Sequence, residues 1–284
     1  MSRPLRLAVD IGGTFTDLVL ELPEHALSTK LLTTHDAPER AVLEGAAAIV
    51  AQAGVNASDL ALVIHGTTLA TNALIERKGA RTALVTTEGF RDSLEIAYEH
   101  RFEQYDLYME RPEPLVSRPW RFEVPERVAA DGQVLLPLDE AAVERVGQAV
   151  RAEGIEALAI SFLHAYRNPD HELRACEILS RFLPRDVITL SSEVCPEIRE
   201  YERTSTTVAN AYVLPLMERY LRRLEEGLRE LGIAAPLLLI MSSGGVTTVE
   251  TARRFPIRLV ESGPAGGAVL AQMIAAQNGL SRAL

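Results

Sequence analysis

The spacing of hydrophobic and polar residues at the start of the chain predicts a β-hairpin. Residues 5–9 alternate apolar and other side chains, which is the two-residue period of a strand. A second apolar segment covers 18–20, and Gly12-Gly13 lies between the two. Glycine adopts positive φ without a steric penalty, so this pair suits a tight turn. The pattern of the first twenty residues therefore predicts a strand, a turn and a second strand.

Further along the chain, short apolar segments alternate with segments of helical period. This alternation predicts parallel strands covered by helices, an α/β fold. Pro215 is expected to split the longest helix. The predicted strands cover 28–34, 60–64, 81–86, 157–162, 187–190, 237–241 and 257–260, and the predicted helices cover 38–53, 140–153, 169–182 and 200–231, with a last helix ending at Asn278.

The pattern weakens between Tyr98 and Pro137, where prolines are frequent. Such a composition predicts an irregular segment with short strands. Long irregular segments are often functional or form interfaces. A packed surface loop explains this one equally well.

Composition narrows the class of protein. The 284 residues are 47% hydrophobic and 24% charged, enough for one large domain or two ordinary ones. The net charge of −10, without a basic run, argues against nucleic-acid binding. No apolar run reaches membrane-spanning length and no signal peptide precedes the first strand, so we expect a cytoplasmic protein that does not bind membranes.

The predicted hairpin turn carries residue types that bind phosphate. Backbone amides at a glycine turn converge on anions, and threonine hydroxyls add donors. A carboxylate beside such a turn can hold Mg²⁺ through its waters. An ordinary hairpin with a flanking acid is the simpler alternative, but the full pattern favours phosphate binding. The residues are Asp10, Gly12, Gly13, Thr14, Thr16 and Asp17.

Three more glycine-rich corners follow predicted strands, at 65–72, 242–246 and 262–267. Helix capping explains one threonine of the first corner, but not four polar side chains and a histidine. Ligands bind at the carboxyl ends of parallel strands, so we expect all four corners to converge on one cleft. The candidate residues are His65, Thr67, Thr68, Asn72, Gly244, Gly245 and Gly263.

Three common nucleotide or hydrolase motifs are absent from the sequence. It contains no Gly-x-Gly-x-x-Gly that opens a helix and no Gly-x-x-x-x-Gly-Lys-Ser/Thr. It also lacks the Gly-x-Ser-x-Gly of serine hydrolases. Any phosphate is therefore expected at the β-hairpin.

These motifs together resemble the N-terminal part of the hydantoinase A / 5-oxoprolinase family, which includes acetone carboxylase β subunits. The resemblance covers nearly the whole chain in order. It implies the actin / sugar-kinase / Hsp70 type of ATPase fold, which is ribonuclease H-like. The matching segments are Val9–Asp17, His65–Ala73, Glu200–Thr207, Met241–Gly245 and Glu261–Ala265.

The resemblance implies ATP-dependent hydrolysis of a cyclic amide, with ATP, Mg²⁺ and K⁺ as cofactors. Asp10 would orient Mg²⁺ through water, and His65 would be catalytic. Thr67, Thr68 and Asn72 would contact the substrate. Phosphate or ATP contacts would come from Gly12, Gly13, Thr14, Thr16, Asp17, Gly244, Gly245 and Gly263, although the role of Asp17 stays open.

Family members extend beyond this chain and carry a second phosphate hairpin. We therefore expect an N-terminal domain over 1–195 and the truncated start of a catalytic domain over 196–284. The missing C-terminal half and a hydantoinase B-type subunit are the expected partners, and apolar surface around 260–274 is expected to lie uncovered. Whether the chain is an excised segment, a split-gene product or a degraded gene stays open.

Three other functions remain open at the level of sequence. One is an ATP-using subunit like that of acetone carboxylase, and another is a sugar-kinase-like phosphotransferase. The third is a non-catalytic fragment that pairs with another polypeptide. The corners at His65 and Glu261 favour the cyclic-amide hydrolase.

Overall fold

The computed structural model describes residues 4–99 and 103–282, which form two compact units. The first unit contains the residues up to Lys78 and those from Leu216 onward, and the second is Gly79–Pro215. The strands are β1 (Leu5–Ile11), β2 (Phe15–Glu21), β3 (Ala26–Leu32), β4 (Leu60–Thr67), β5 (Thr82–Thr87), β6 (Arg121–Val124), β7 (Arg127–Val128), β8 (Val134–Leu136), β9 (Ala157–Ser161), β10 (Ile188–Leu190), β11 (Leu237–Ile240) and β12 (Val246–Thr248). The helices are α1 (Pro38–Ala53), α2 (Leu69–Ile75), α3 (Ser93–Ile96), α4 (Glu140–Ala152), α5 (Asp170–Leu179), α6 (Ser191–Val194), α7 (Glu200–Glu230), α8 (Val249–Arg254) and α9 (Ser262–Gln277).

The first unit is built on a six-stranded mixed sheet in the order β12-β11-β4-β1-β2-β3. Strands β11, β4 and β1 are parallel, whereas β1, β2 and β3 form an antiparallel meander. The alternation that predicted β1 is visible in the structure, because Leu7, Val9 and Ile11 are buried while the residues between them are exposed. The predicted hairpin is confirmed.

The second unit contains a four-stranded sheet in the order β10-β9-β5-β6, and all three pairings are parallel. Strands β5 and β9 are buried along their whole length, as expected for a parallel sheet with both faces covered. Its largest core cluster includes residues from α4 and α5. The parallel arrangement predicted from the alternating segments is therefore confirmed in this unit.

Two predictions of secondary structure are wrong. Helix α7 is continuous from Glu200 to Glu230, with Pro215 inside it. A proline removes one backbone donor, here the one that the Ala211 carbonyl would accept, and disturbs the preceding turn. In that turn the carbonyl of Tyr212 accepts a hydrogen bond of 2.8 Å from the Ala80 amide, so backbone from outside the helix contacts it.

The second error concerns the segment 257–260, which is not a strand. Pro256–Leu259 forms a 3₁₀ helix instead. A segment of four residues, of which Ile257, Leu259 and Val260 are apolar, is too short to separate a strand from a buried helical turn. Pro256 occupies the first turn, where its fixed φ suits a helix and its missing amide costs nothing.

The irregular segment of the second unit contains the short strands β6, β7 and β8, as predicted. Residues 100–102 of that segment lie outside the described residues. Within 4–99 and 103–282, no helix is both long and apolar enough to cross a membrane.

Candidate functional site

The turn between β1 and β2 presents backbone donors on an open surface. The Gly12 amide closes the turn by donating to the Phe15 carbonyl at 2.9 Å. Gly13 and Thr14 are exposed, and no acceptor within the described residues contacts their amide N–H groups. Two adjacent donors without partners are what an anion requires at a glycine turn.

Asp10 lies at the end of β1, on the exposed face of the sheet. It is directly opposite Asp17 in the β1–β2 register, and Asp17 is opposite Lys30 on β3. The Lys30 ammonium contacts Asp17 at 2.8 Å, whereas no donor in the described part of the chain contacts the Asp10 carboxylate. Partial burial raises the pKa of Asp10, and the charge of Asp17 raises it further, while Lys30 lowers it.

The four glycine-rich corners lie at one edge of the six-stranded sheet, while their convergence on one cleft stays a prediction. A Cβ placed on Gly66 would lie 2.9 Å from the Asp10 Oδ1 and 3.7 Å from Ile240, the last residue of β11. The Ser262 hydroxyl donates to the Thr67 carbonyl at 3.3 Å. The corners after β1, β4 and β11 and the start of α9 are thus neighbours.

The two threonines of the hairpin have different surroundings. Thr14 is exposed, but the Thr16 side chain is fully buried and its hydroxyl is 3.0 Å from that of Thr33. Thr33 in turn donates to the Gly12 carbonyl at 2.9 Å. Thr16 therefore supports the turn from behind through Thr33.

His65 is buried within the first unit and does not reach the open surface. Its Nδ1 is 3.4 Å from the Val9 carbonyl, and its Nε2 is 2.6 Å from the Tyr220 hydroxyl. Because a carbonyl only accepts, Nδ1 carries the proton and Nε2 accepts from Tyr220. Burial lowers the pKa of His65 to about 4, so the ring is neutral at pH 7. In this structure His65 therefore links β1, through the Val9 carbonyl, to α7, through the Tyr220 hydroxyl.

The buried imidazole gives the chain a predictable dependence on pH. In the unfolded chain His65 takes up a proton near pH 6.5, whereas in the folded protein it does so only near pH 4. Its contribution to stability is therefore complete above pH 6.5 and is lost as the pH falls towards 4, by about 3 kcal/mol at most. Urea unfolding at pH 7 and pH 4.5 should show a smaller pH difference for His65→Asn than for wild type, whereas His25→Asn, an exposed control, should match wild type. An unchanged difference in His65→Asn would contradict this assignment.

The polar residues after β4 tie the hairpin to α2. The Thr68 amide and hydroxyl both donate to the Ile11 carbonyl, at 3.1 and 3.2 Å. The Asn72 amide group donates to the Thr68 hydroxyl at 3.3 Å, and a Cβ on Gly13 would lie 3.5 Å from Asn72 Nδ2. The Thr67 hydroxyl accepts from the Leu69 amide at 3.2 Å. Asn72 therefore lies beside the hairpin turn. Thr67, in contrast, is buried at the end of β4, where its hydroxyl contacts the backbone of α2.

The remaining corners differ in their backbone. Gly244 has φ of +81°, which favours glycine, and Gly263 has open space around its Cα. Glu261 has φ of +64° although it is not glycine, and its amide donates to the Thr71 hydroxyl at 3.3 Å. A left-handed non-glycine residue costs free energy and is commonly kept where function requires it. A Cβ placed on Gly245 would lie 3.4 Å from the Cε of Met241.

Asp10 is the residue of this site that could help to hold a metal ion. No group of three or more His, Cys, Asp or Glu side chains suited to a metal occurs among residues 4–99 and 103–282. Mg²⁺ does not require such a group, because it commonly uses one or two carboxylates, phosphate oxygens and water. Asp10 offers a carboxylate without a partner, and burial and Asp17 both disfavour its charge. A cation at Asp10 would relieve this cost.

Two family models cover most of the chain. Residues 6–183 match the hydantoinase/oxoprolinase N-terminal region, and residues 203–284 match hydantoinase/oxoprolinase. The chain belongs to the hydantoinase/oxoprolinase family. This confirms the resemblance drawn from the sequence motifs.

Curated relatives and solved structures agree with the family assignment. The chain is 38% identical over 269 residues to caprolactamase subunit alpha of Pseudomonas jessenii, covering 92% of this chain and 38% of the relative. It is 32% identical over 306 residues to 5-oxoprolinase of Saccharomyces cerevisiae, covering 93% and 23%. The hydantoinase/oxoprolinase chain thus spans about two fifths or less of these relatives' lengths.

Among structures, the crystal structure of ATP-dependent caprolactamase from Pseudomonas jessenii matches with a TM-score of 0.84 and 36% identity, covering 96% of this chain and 40% of that one. Nucleotide-free acetone carboxylase matches with a TM-score of 0.87 and 23% identity, covering 98% and 41%. These likenesses confirm the α/β fold of the actin-like ATPase type.

Sequence reasoning missed the residues that hold the site from behind. Thr33 lies beyond the end of β3, and Tyr220 lies within the apolar stripe of α7. Their partners are 17 and 155 residues away in the chain, so no local pattern indicates the pairing. The sequence gives one indication for Tyr220: its hydroxyl lies at a position of α7 where the helical period predicts a buried side chain.

Proposed function

We propose that this chain forms the phosphate-binding wall of an ATP-dependent cyclic-amide hydrolase. The observation that carries the proposal is the turn at Gly13 and Thr14, whose amides lack partners in the described residues and which follows the strand that carries the unpartnered Asp10 carboxylate. The turn amides would hold a phosphate of ATP, and Asp10 would hold Mg²⁺ through its water ligands. The relatives named as caprolactamase and 5-oxoprolinase support a lactam as the second substrate.

The proposed reaction explains why a lactam needs ATP. An amide carbonyl is a weak electrophile, and its nitrogen is a poor leaving group. Transfer of the γ-phosphoryl group forms a bond from the amide oxygen to phosphorus and releases ADP. Water then attacks the activated carbon, and the C–N bond breaks with protonation of nitrogen, which leaves an acyl phosphate. A second water attacks the same carbon, so that phosphate leaves with the original oxygen and a carboxylate forms. The residues of this chain would position the phosphate and stabilise its charge.

Gly66 offers a test that leaves the chemical groups of the site intact. A methyl group in Gly66→Ala would lie 2.9 Å from Asp10 Oδ1, so the carboxylate must move. We expect Mg·ADP to bind about tenfold more weakly, since changes to groups that orient the ligands of a metal ion cost about 10- to 100-fold in affinity. Gly267→Ala is the matched control, because its Cβ meets open space. Equal affinity of both variants, measured by calorimetry, would argue against a role for the Asp10 position.

The proposed function also implies a domain division of this chain and partners that complete it. We propose that the regions 1–195 and 196–284 are an N-terminal domain and the start of a catalytic domain. Helix α9 exposes Val269, Leu270, Met273 and Ile274, each by 43% or more, and this apolar helix face supports the proposal. Such a helix face needs a cover, which we assign to polypeptide equivalent to the remainder of the relatives. The subunit names of the relatives support a second subunit, which we propose is of the hydantoinase B type.

Co-expression tests this function directly. The chain combined with the polypeptide that completes the longer relatives should release ADP from Mg·ATP when 5-oxoproline, caprolactam or a hydantoin is added. We propose a cytoplasmic location for this activity, with K⁺ as an additional requirement to be tested by replacement with Na⁺. Phosphorylation of a sugar without ring opening of any amide would instead support a sugar-kinase-like enzyme.

A further inference from the structure

Helices cover one face of the six-stranded sheet of the first unit. The strand register places Val9, Leu18 and His65 side by side on that face, and all three are buried. Helix α1 packs there, because a Cβ on Gly45 would collide with Leu18. Helix α7 reaches the same face through the hydroxyl of Tyr220, which contacts His65. This side of the sheet is called the covered face below.

The opposite face of the sheet, called the open face, carries the residues that alternate with those of the covered face. Its large apolar side chains are exposed by 41% or more, and they belong to Phe15, Val19, Leu32 and Val246. Asp10 is also exposed on this face. Apolar side chains of four strands or strand ends thus lie in contact with solvent beside the candidate site.

An apolar row crosses the open face from β2 to β11. Val19 on β2 is opposite Ala8 on β1. Ile64 on β4 is opposite both Ala8 and Leu238 of β11. Adjacent strands lie about 4.8 Å apart, so the row is about 14 Å long.

Ion pairs border the apolar row on both sides. Arg6 contacts Glu21 at 3.9 Å on one side, and Lys30 contacts Asp17 at 2.8 Å on the other. Each pair is balanced in charge. A surface with an apolar centre and charged edges matches an amphipathic helix, which carries an apolar stripe between polar flanks.

The pairing of the strands also indicates that the open face needs a cover. Strands β11, β4 and β1 are parallel, and parallel strands normally have both faces covered by helices. In the second unit the parallel strands β5 and β9 are buried along their whole length. The relatives contain further polypeptide that can supply a helix, since this chain covers 38% of caprolactamase subunit alpha.

We propose that the open face binds an amphipathic helix from polypeptide equivalent to the remainder of the relatives, with its apolar stripe on the apolar row. This inference rests on the longer protein of the proposed function, but on neither the phosphate-binding turn nor α9. A second copy of the chain is the less favourable occupant. It would bring another Asp10 and Asp17 to a surface where the charge of Asp17 already raises the pKa of Asp10.

Thiol labelling tests this occupant of the open face. Val19→Cys places a reactive group on the apolar row, and Ala51→Cys is the matched control at an exposed position of α1. The probe is the part of caprolactamase subunit alpha of Pseudomonas jessenii outside the match, co-expressed with the whole chain. We expect the probe to slow labelling of Val19→Cys about tenfold or more, because buried thiols are inert, and to leave Ala51→Cys unchanged. Wild type, which contains Cys176 and Cys195, supplies the background rate.

Crosslinking identifies the kind of element that covers the row. A photoreactive group attached to Val19→Cys should react with probe residues three and four positions apart, which is the spacing of one helix face. Crosslinks two positions apart would show a strand instead and would overturn the proposed helix.

A third variant, Val269→Cys on α9, separates this inference from the proposed function, which assigns the exposed side of α9 to the same polypeptide. Slower labelling of Val269→Cys but not of Val19→Cys would overturn the helix on the open face alone. Slower labelling of Val19→Cys but not of Val269→Cys would reject the cover of α9 and retain the helix. Unchanged labelling of both would overturn both proposals.

Two further results would contradict the proposed occupant. Labelling of Val19→Cys that slows as the chain alone is concentrated, without the probe, would assign the open face to a second copy. Equal slowing of Val19→Cys and Ala51→Cys by the probe would show association that does not select the open face.

Discussion

The 284-residue chain on its own is expected to hydrolyse no cyclic amide in the presence of Mg·ATP. Its hairpin and Asp10 can contact one side of a triphosphate. Phosphoryl transfer requires the attacking and leaving oxygens to be aligned and water to be excluded, which needs groups on the opposite side as well. Loss of alignment and of the opposing donors costs on the order of several powers of ten in rate.

The assay follows ADP release from the purified chain with ATP, Mg²⁺, K⁺ and 5-oxoproline or a hydantoin. The exposed apolar residues of α9 also predict association of the isolated chain, which light scattering would detect. Addition of the polypeptide that completes the longer relatives should restore turnover and reduce association together. Lactam-stimulated turnover by the chain alone, abolished in Asp10→Ala, would show that the proposed need for a second wall is mistaken.

Replacing Asp10 by asparagine is expected to have the largest effect of any single substitution in this chain. The change keeps the size of the side chain and removes the charge that would hold the water ligands of Mg²⁺. We expect Mg²⁺-dependent nucleotide affinity, and activity of the completed enzyme, to fall about 10- to 100-fold. The thermal midpoint should not fall, because the Asp10 carboxylate has no partner in the described residues and lies opposite the like charge of Asp17.

Asp36→Asn is the matched control for this experiment. Asp36 is exposed and pairs with Arg40 outside the hairpin. Its substitution should leave magnesium-dependent affinity unchanged, since exposed ion pairs contribute little. If the two variants lose affinity equally, or if Asp10→Asn binds Mg·ADP like wild type, the assignment of Asp10 is wrong.

The sequence predicted those parts of the site that depend on local pattern. The alternation around Leu7 and the glycine pair at 12–13 specify the hairpin, and a strand followed by a glycine corner specifies the edge at which Gly66 lies. The predictions that proved wrong concern features that depend on contacts between residues distant in the chain. Helix α7 continues through Pro215, and the turn before the proline is contacted by the Ala80 amide, which no pattern around Pro215 indicates.

The same limit applies to the candidate residues. A histidine after an apolar strand fits both a ligand contact and a buried support, and the choice depends on Tyr220, which lies 155 residues later. Thr16 lies between the exposed Phe15 and the half-buried Asp17 in β2, but burial of its hydroxyl against Thr33 follows from the pairing of three strands. The sequence motifs thus indicate where the candidate site lies. Which of the candidate residues face a ligand depends on tertiary packing.

An amide NMR titration of this chain with Mg·ADP tests whether the hairpin turn and Asp10 bind phosphate and Mg²⁺ together. We expect shifts at Gly13 and Thr14 and at the neighbouring corner 66–72, which disappear without Mg²⁺ and are weakened in Asp10→Asn. Shifts confined to the four-stranded sheet of the second unit, or shifts at the hairpin that are the same with and without Mg²⁺ and Asp10, would show that the turn is not such a site.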